Sequence, residues 1–432
     1  MDSKKVFLSR IRLISLVTVL VGVFFIVRLF SLQVVKQEAY AETADRSYVK
    51  SGDTFDRGSI IFEKRDGGRI SAATINTGYI LSINPVQLKK PSEAYDKLSQ
   101  IITLDKTEFL AKAGKKDDPY EEVAEKINRE KADEITALAI SGVNLYKHKW
   151  RFYPGEKMAA QTIGFLGFGD GDTLSGQYGL EKYYNETLRK EEDNLYVNIF
   201  AEIFSGVKEV IFEGEEREGD VVTTIEPTVQ SFLEKELVSV KTKFSPESAS
   251  GIIISPQTGE IYAMAHVPNF DLNNFQEVEN VLTYSNPLVE NVYEFGSVVK
   301  PLVIAAGIEE GVISASTPFY DKGSIQVEDK EIFNFDKKGR GQITMQDVLS
   351  ESLNTGMVFA MQKLGRNKFK DHMLDYRLGE KTNIDLPNEA KGLVSNLEEP
   401  RELEYATAAF GQGISFSPVV LVRALSSLGN GG

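Results

Sequence analysis

Ser297 and Lys300 stand three residues apart in the run Ser297-Val298-Val299-Lys300, a spacing that puts both side chains on one face of a helix. In that geometry a lysine amine can take the proton of a serine hydroxyl and make the oxygen a nucleophile. A lysine is ordinarily protonated, so it serves as a base only when desolvated or placed beside other cations. The following run, Leu302-Val303-Ile304-Ala305-Ala306, is apolar enough to bury such a helix. If Ser297 caps that helix, Pro301 is its fourth residue and still lies in the first turn, whose N–H groups are unpaired. Gly296 permits a tight entry, and the serine then sits at the positive helix end, where its N–H helps hold an oxyanion. The same spacing recurs at Ser47/Lys50 and Ser205/Lys208, neither of which precedes an apolar helix. A single copy is therefore also what a solvent-facing pair looks like.

Ser352-Leu353-Asn354 lies 55 residues beyond Ser297 in a helix-prone run. A serine and an asparagine two apart can set a hydroxyl and an amide on one edge of a cleft, to relay a proton and orient a substrate amide. Alone, the trio also reads as a polar helix entry. Other signatures are missing. There is no Gly-x-x-x-x-Gly-Lys-Ser/Thr loop and no Gly-x-Ser-x-Gly elbow, so neither a P-loop enzyme nor an α/β-hydrolase is supported. Asp170, Asp172 and Glu181 take positions 1, 3 and 12 of a calcium loop, but Leu174 and Ser175 fall where a ligand and a glycine are wanted.

The elements that must position these groups belong to a chain of 432 residues with a formal charge of −14 and no cysteine. That length accommodates two or three domains. The acidic balance argues against a nucleic-acid surface, which needs a basic face. Without cysteine there is no disulfide framework, cysteine nucleophile or thiolate metal site. His148, His266 and His372 are too few for a histidine-rich centre, and no cofactor is implied.

At the N-terminus, Lys4, Lys5, Arg10 and Arg12 precede an uncharged run over residues 13–27, with Arg28 interrupting it before more apolar residues. Crossing a bilayer takes about 20 apolar residues, so a span over 13–33 uses both sides of Arg28, which can snorkel to the headgroups. A cleaved signal peptide would need a small-x-small site that does not follow, and a buried soluble helix would need a polar face. The basic flank predicts a tail inside at 1–12, a transmembrane anchor at 13–33 and an exported body, hence a single-pass protein of the cytoplasmic membrane.

In that body, Arg57-Gly58-Ser59-Ile60-Ile61-Phe62 reads as a turn feeding a strand. Residues 91–102 and 119–140 have the spacing of helices. A polar, glycine-punctuated stretch at 212–219 marks a boundary between a domain at 34–219 and another at 220–432. Beyond it, residues 221–225 read as a strand and Pro227 opens a helix over 228–240. Residues 250–254 and 261–265 form a hairpin around Pro256 and Gly259. A loop-rich stretch follows at 268–291, then helices near 297–310, 344–364 and 416–428. Strands first and helices after describe an α+β domain.

Tyr293-Glu294-Phe295-Gly296-Ser297-Val298-Val299-Lys300-Pro301 resembles the nucleophile segment of penicillin-binding proteins. Asp56-Arg57-Gly58-Ser59-Ile60, Arg151-Phe152-Tyr153-Pro154-Gly155 through Ala160, Ile163-Gly164-Phe165 and Gly179-Leu180-Glu181 resemble the pedestal of class B members. Thr258-Gly259-Glu260-Ile261-Tyr262-Ala263-Met264-Ala265, Pro268-Asn269-Phe270-Asp271 and Phe410-Gly411-Gln412-Gly413-Ile414-Ser415 are similar to transpeptidase-domain segments, in family order. The resemblance implies an elongated mixed pedestal at 34–219 and, at 220–432, a domain with an antiparallel sheet covered by helices on both faces. It implies a peptidoglycan D,D-transpeptidase of the cell-division type. Ser297 would attack the penultimate D-Ala carbonyl of a stem peptide, Lys300 take its proton, Ser352 protonate the leaving amine and Asn354 bind the donor peptide. β-Lactams would acylate Ser297, and a membrane-embedded glycan polymerase with other division proteins would be partners.

Three departures stand out. Phe295 replaces a usual proline, and Leu353 a common serine. The third is the family's Lys-Thr/Ser-Gly strand, which is not found: Lys50-Ser51-Gly52 sits beside the anchor, and Lys381-Thr382-Asn383 lies in a segment the family has in addition. The expectation is a chain truncated before that motif, with the last strands of the sheet missing, and residues 1–432 alone not acylated by penicillin at a useful rate. Two rivals are a non-catalytic membrane-anchored division scaffold and a β-lactam sensor or lactamase.

Overall fold

The computed structural model describes residues 57–168, 174–189 and 219–432. The tail and anchor at 1–33, Ser47/Lys50, Ser205/Lys208, Lys50-Ser51-Gly52, Asp170 and Asp172 lie outside the described residues. Among the described residues, no helix is long and apolar enough to cross a membrane. The chain forms two compact units, one containing residues 76–150 and the other residues 57–75 and 151–432.

In the smaller unit the strand ending at Ile83 pairs antiparallel with Glu121–Ile127, setting Leu81 opposite Ala124 and Ile83 opposite Glu121. Helices Pro91–Leu98, Lys106–Ala113 and Arg129–Ala137 bury Leu98, Phe109 and Ile135 with Leu81 and Ile83. The single helix expected over 119–140 is a strand followed by a helix. Residues 121–127 are mostly good helix formers, but cross-strand pairing outweighs so weak a propensity. Asn128 then starts the helix by accepting the Lys131 N–H at 3.0 Å.

In the larger unit, Ile60–Glu63 lies between two strands. Ile60 pairs antiparallel with Ala73, and parallel with Val221 of Val221–Thr223. Ile60, Phe62, Ala73, Ile163, Phe165 and Leu180 share one apolar core with Met264, Phe270, Leu288 and Val419. Residues 57–75 and 151–188 are thus packed with the hairpin region rather than apart from it.

The hairpin is present as Ala249–Ile254 paired with Ile261–Val267, in the register Ser250–His266 and Ile252–Met264. Helix Pro227–Phe244 lays Leu233 and Leu237 on the Ala249, Ala265 and Val267 face. Ile252 and Met264, on the other face, pack with Leu288 and Val419. Helices therefore cover both faces, and among the described residues the antiparallel sheet here is two-stranded.

Two expected helices are broken. The first opens as a 3₁₀ turn, Gly296–Val299, and becomes α-helical at Lys300–Glu309. Pro301 has no N–H to reach the Ser297 carbonyl, and its ring would crowd that oxygen in a continuous α-helix. The Lys300 N–H bonds to Ser297 O instead, three residues back. Ser297 is thus a turn residue and not the helix cap, while Pro301 keeps its place in the first helical turn. The run expected over 344–364 divides into Met345–Ser350 and Asn354–Leu364. Thr344 and Asp347 form a reciprocal cap at its start. At the break Ser352 takes φ +55°, a conformation non-glycine residues rarely adopt, and Leu353 is driven fully into the core.

Candidate active site

The turn carrying Ser297 is fastened from behind by residues 411–416. Tyr293 pairs antiparallel with Phe416, the Gly296 N–H donates to Gly411 O at 3.1 Å, and the Gly413 N–H donates to Glu294 Oε1 at 3.2 Å. Gly296 and Gly411 have φ of +60° and +77°, and a Cβ on Gly411 would stand 2.1 Å from the Gly296 carbonyl oxygen. No atom fits there, so Gly411→Ala must displace the turn that aims Ser297. A shift of about 1 Å costs on the order of 100-fold in rate. The variant is expected to slow covalent capture at Ser297 by that order and, because an alanine is strained at φ +77° against a backbone oxygen, to lower the unfolding midpoint as well. Time-resolved mass spectrometry alongside thermal unfolding measures both. The Ser297 side chain is exposed.

Lys300 lies inward, one turn on, and is 1% exposed. Its Nζ donates to Ser352 O at 2.6 Å, Ser352 Oγ at 3.1 Å and Asn354 Oδ1 at 2.9 Å, which occupies all three hydrogens of an ammonium. Among the described residues no carboxylate touches it, and burial lowers its pKa to about 8. The sequence-predicted residues therefore assemble as Lys300, Ser352 and Asn354 in direct contact, with Ser297 on the exposed side of the same helix entry. Among the described residues no hydrogen bond joins Ser297 Oγ to them.

The unusual φ of Ser352 lets its carbonyl and hydroxyl turn to the same ammonium. Asn354 is oriented at both ends, for its Nδ2 donates to Phe333 O at 2.9 Å. That bond uses one of the two Nδ2 hydrogens. Behind it lies a buried polar group that sequence reasoning missed: Asp321, Asn334 and Thr355, each 1% exposed. Asp321 and Thr355 are 34 residues apart, and no local pattern connects them. Lys381-Thr382-Asn383, by contrast, serves its own loop, where the Thr382 N–H and hydroxyl and the Asn383 N–H all donate to Glu389. A cavity of about 390 Å³ lies beside Leu180, Ile225, Met264 and Ile384, and none of the four predicted residues lines it.

Residues 249–432 match the penicillin binding protein transpeptidase domain and residues 57–201 the penicillin-binding protein dimerisation domain. The two domains of a penicillin-binding protein are thus matched in order along the chain, which is similar to class B members. It is 30% identical to Stage V sporulation protein D of Bacillus subtilis over 87% of this chain and 58% of that protein. It is 26% identical to the peptidoglycan D,D-transpeptidase FtsI of Escherichia coli over 72% of this chain and 51% of that one. The crystal structure of penicillin binding protein 2X from Streptococcus thermophilus has the same fold, with a TM-score of 0.67 at 22% identity. That match covers 88% of this chain and 59% of the other. The chain thus spans somewhat over half the length of these relatives.

The motifs that resemble the class B pedestal form a buried ionic group. Glu181, fully buried, accepts Arg57 Nε at 2.8 Å and Arg151 Nε at 2.6 Å, with both guanidinium side chains 4% exposed. Arg151 also donates to Gly58 O at 2.7 Å. The Tyr153 hydroxyl donates to Glu181 at 3.3 Å and receives the Leu166 N–H at 3.2 Å. Burial, then the Glu181 charge, holds the Tyr153 pKa well above the usual phenol value, so Tyr153 stays a donor. The third apex of the calcium-like spacing is thereby a structural carboxylate.

Proposed function

We propose that this protein is a serine peptidoglycan D,D-transpeptidase of septal wall synthesis; its FtsI relatives are named peptidoglycan D,D-transpeptidases. The observation that carries the reading is Lys300, buried against Ser352 and Asn354 one turn after an exposed Ser297. Ser297 Oγ attacks the penultimate D-Ala carbonyl of a stem peptide and its proton passes to neutral Nζ of Lys300. The bond to the terminal D-Ala nitrogen breaks, and that nitrogen takes a proton delivered through the Ser352 hydroxyl. The amine of a second stem peptide attacks the resulting ester, forms the cross-link and returns Ser297. Asn354 holds the donor peptide's amide. A β-lactam enters the first half of this sequence and stays on Ser297.

A neutral Nζ has two hydrogens and one lone pair, so deprotonation releases one of its three contacts and supplies the acceptor Ser297 needs. Acylation should therefore rise with pH through a midpoint near 8, the lowered pKa of Lys300, since only the unprotonated amine is a base. Penicillin acylation rates between pH 6 and 10 test this, and a flat profile contradicts it.

The domain assignments 34–219 for the pedestal and 220–432 for the transpeptidase belong to the same proposal. So do the anchor at 13–33, with the N-terminus inside, and a membrane-embedded glycan polymerase as partner. Resistance of the protein to carbonate extraction of membranes tests the anchor. The match to a sporulation protein supports a second reading, in which the cross-linking serves sporulation. Depletion separates the two: failed septa favour division, and normal growth with defective spores favours sporulation.

A further inference from the structure

We propose that Asp321 is a positioning residue for the acylation step, acting through Asn334 and Thr355 on Asn354 and so on Lys300. The inference rests on the reading of Ser297 and Lys300 above. Asp321 ends the strand Pro318–Asp321. Its Oδ1 accepts the Gly323 N–H at 2.9 Å, Asn334 Nδ2 at 3.1 Å and the Thr355 hydroxyl at 2.8 Å. Its Oδ2 accepts Asn334 Nδ2 at 2.9 Å and the Arg340 N–H at 2.9 Å. With Asn334 Nδ2 committed to Asp321, and to Lys338 O at 3.2 Å, the asparagine can face only one way. Its Oδ1 then receives the Thr355 N–H at 3.2 Å, one of the unpaired donors at the start of helix Asn354–Leu364.

The next link is Phe333, the neighbour of Asn334, whose carbonyl takes Asn354 Nδ2. Fixing Asn334 thus fixes both the helix start and the carbonyl that turns Asn354 Oδ1 toward Lys300. Arg340 adds an outer clasp, its Nε donating to Glu351 Oε2 at 2.7 Å, just before Ser352. The segment between residues 318 and 344 therefore grips the Ser352–Asn354 turn from both sides, and Asp321 organises the inner grip without touching Lys300. Every donor around Asp321 points at an oxygen. An asparagine there must turn its NH₂ toward a backbone N–H whichever way it sits, so the grip cannot survive Asp321→Asn unchanged.

The test is acylation by a fluorescent penicillin on the protein expressed from its complete gene, with the acylation rate constant separated from the pre-acylation binding constant. Asp321→Asn is expected to lower the rate constant by roughly 10- to 100-fold and change the binding constant by less than about threefold. Asn354→Ala should lower the rate constant too, and the double variant should lose little more than the worse single one, because both break one chain of contacts. If Asp321→Asn does not fold, Thr355→Val removes only the hydroxyl link and should slow acylation with binding intact. An Asp321→Asn protein, or its Thr355→Val substitute, that acylates within twofold of the parent overturns the inference. So do losses that multiply in the double variant. A parent protein that takes up no penicillin overturns the Ser297 reading and this inference with it.

Discussion

Lys300→Met is expected to slow acylation of Ser297 by roughly 100- to 10,000-fold, the range that a positioned general base supplies. Methionine fills nearly the same space in a site where the lysine is 1% exposed, so the helix core should remain packed. What disappears is the acceptor for the Ser297 proton. Ser352 O and Oγ and Asn354 Oδ1 also lose their common donor, but they are only part-buried, so the cost stays below the roughly 1–3 kcal/mol of a fully buried acceptor left unpaired. Part of that cost is offset because a buried charge is no longer desolvated. The rate should therefore collapse while the fold persists. Lys300→Arg separates two roles. It keeps a positive charge beside the cleft but cannot release its proton, so it should be nearly as slow as the methionine variant. An arginine variant acylating at the parent rate would show that charge, and not proton transfer, is what the lysine contributes.

The second large effect falls on stability. Glu181→Ala leaves Arg57 and Arg151 buried without the carboxylate that both bind. Breaking a buried ion group by removing one partner costs about 3–5 kcal/mol, a large part of the roughly 5–15 kcal/mol that stabilises a domain. Arg151 Nη2, also buried, already lacks a hydrogen-bond partner among the described residues, so there is little slack to absorb the loss. Denaturant unfolding should show the decrease at an unchanged slope, and Glu181→Gln should fall between parent and alanine. An unfolding midpoint equal to the parent's would mean that water or rearrangement satisfies both guanidiniums.

How much was legible in the sequence follows from how local each signal is. The hairpin at 249–267, the helix opened by Pro227 and the apolar run after Lys300 are each written within about twenty residues, and each is present. Ser297, Lys300, Ser352 and Asn354 were legible as motifs, and three of them meet. The helix boundaries around them were not, because a missing N–H at Pro301 and a left-handed Ser352 are decided by single residues inside runs that otherwise favour helix. Strand Glu121–Ile127 has helix-like spacing in its own residues, and the strand that pairs with it lies far back in the chain. The polar groups that hold the site and the core are the least local. Arg57 and Glu181 are 124 residues apart, and nothing near either announces the other. Arg57, Arg151 and Glu181 were visible only as family-like motifs, and Asp321 and Asn334 not even as that, since an aspartate and an asparagine in a turn-rich stretch look like ordinary turn chemistry.

The proposed chemistry begins at one oxygen atom, Ser297 Oγ. Its most direct test is intact-mass analysis of the protein, expressed from its complete gene and incubated with benzylpenicillin, followed by peptide mapping. The expected result is a single added penicillin on the peptide containing Ser297, and none on a Ser297→Ala variant. Penicillin bound covalently to another residue, retained by the alanine variant, or absent from the parent protein would contradict it.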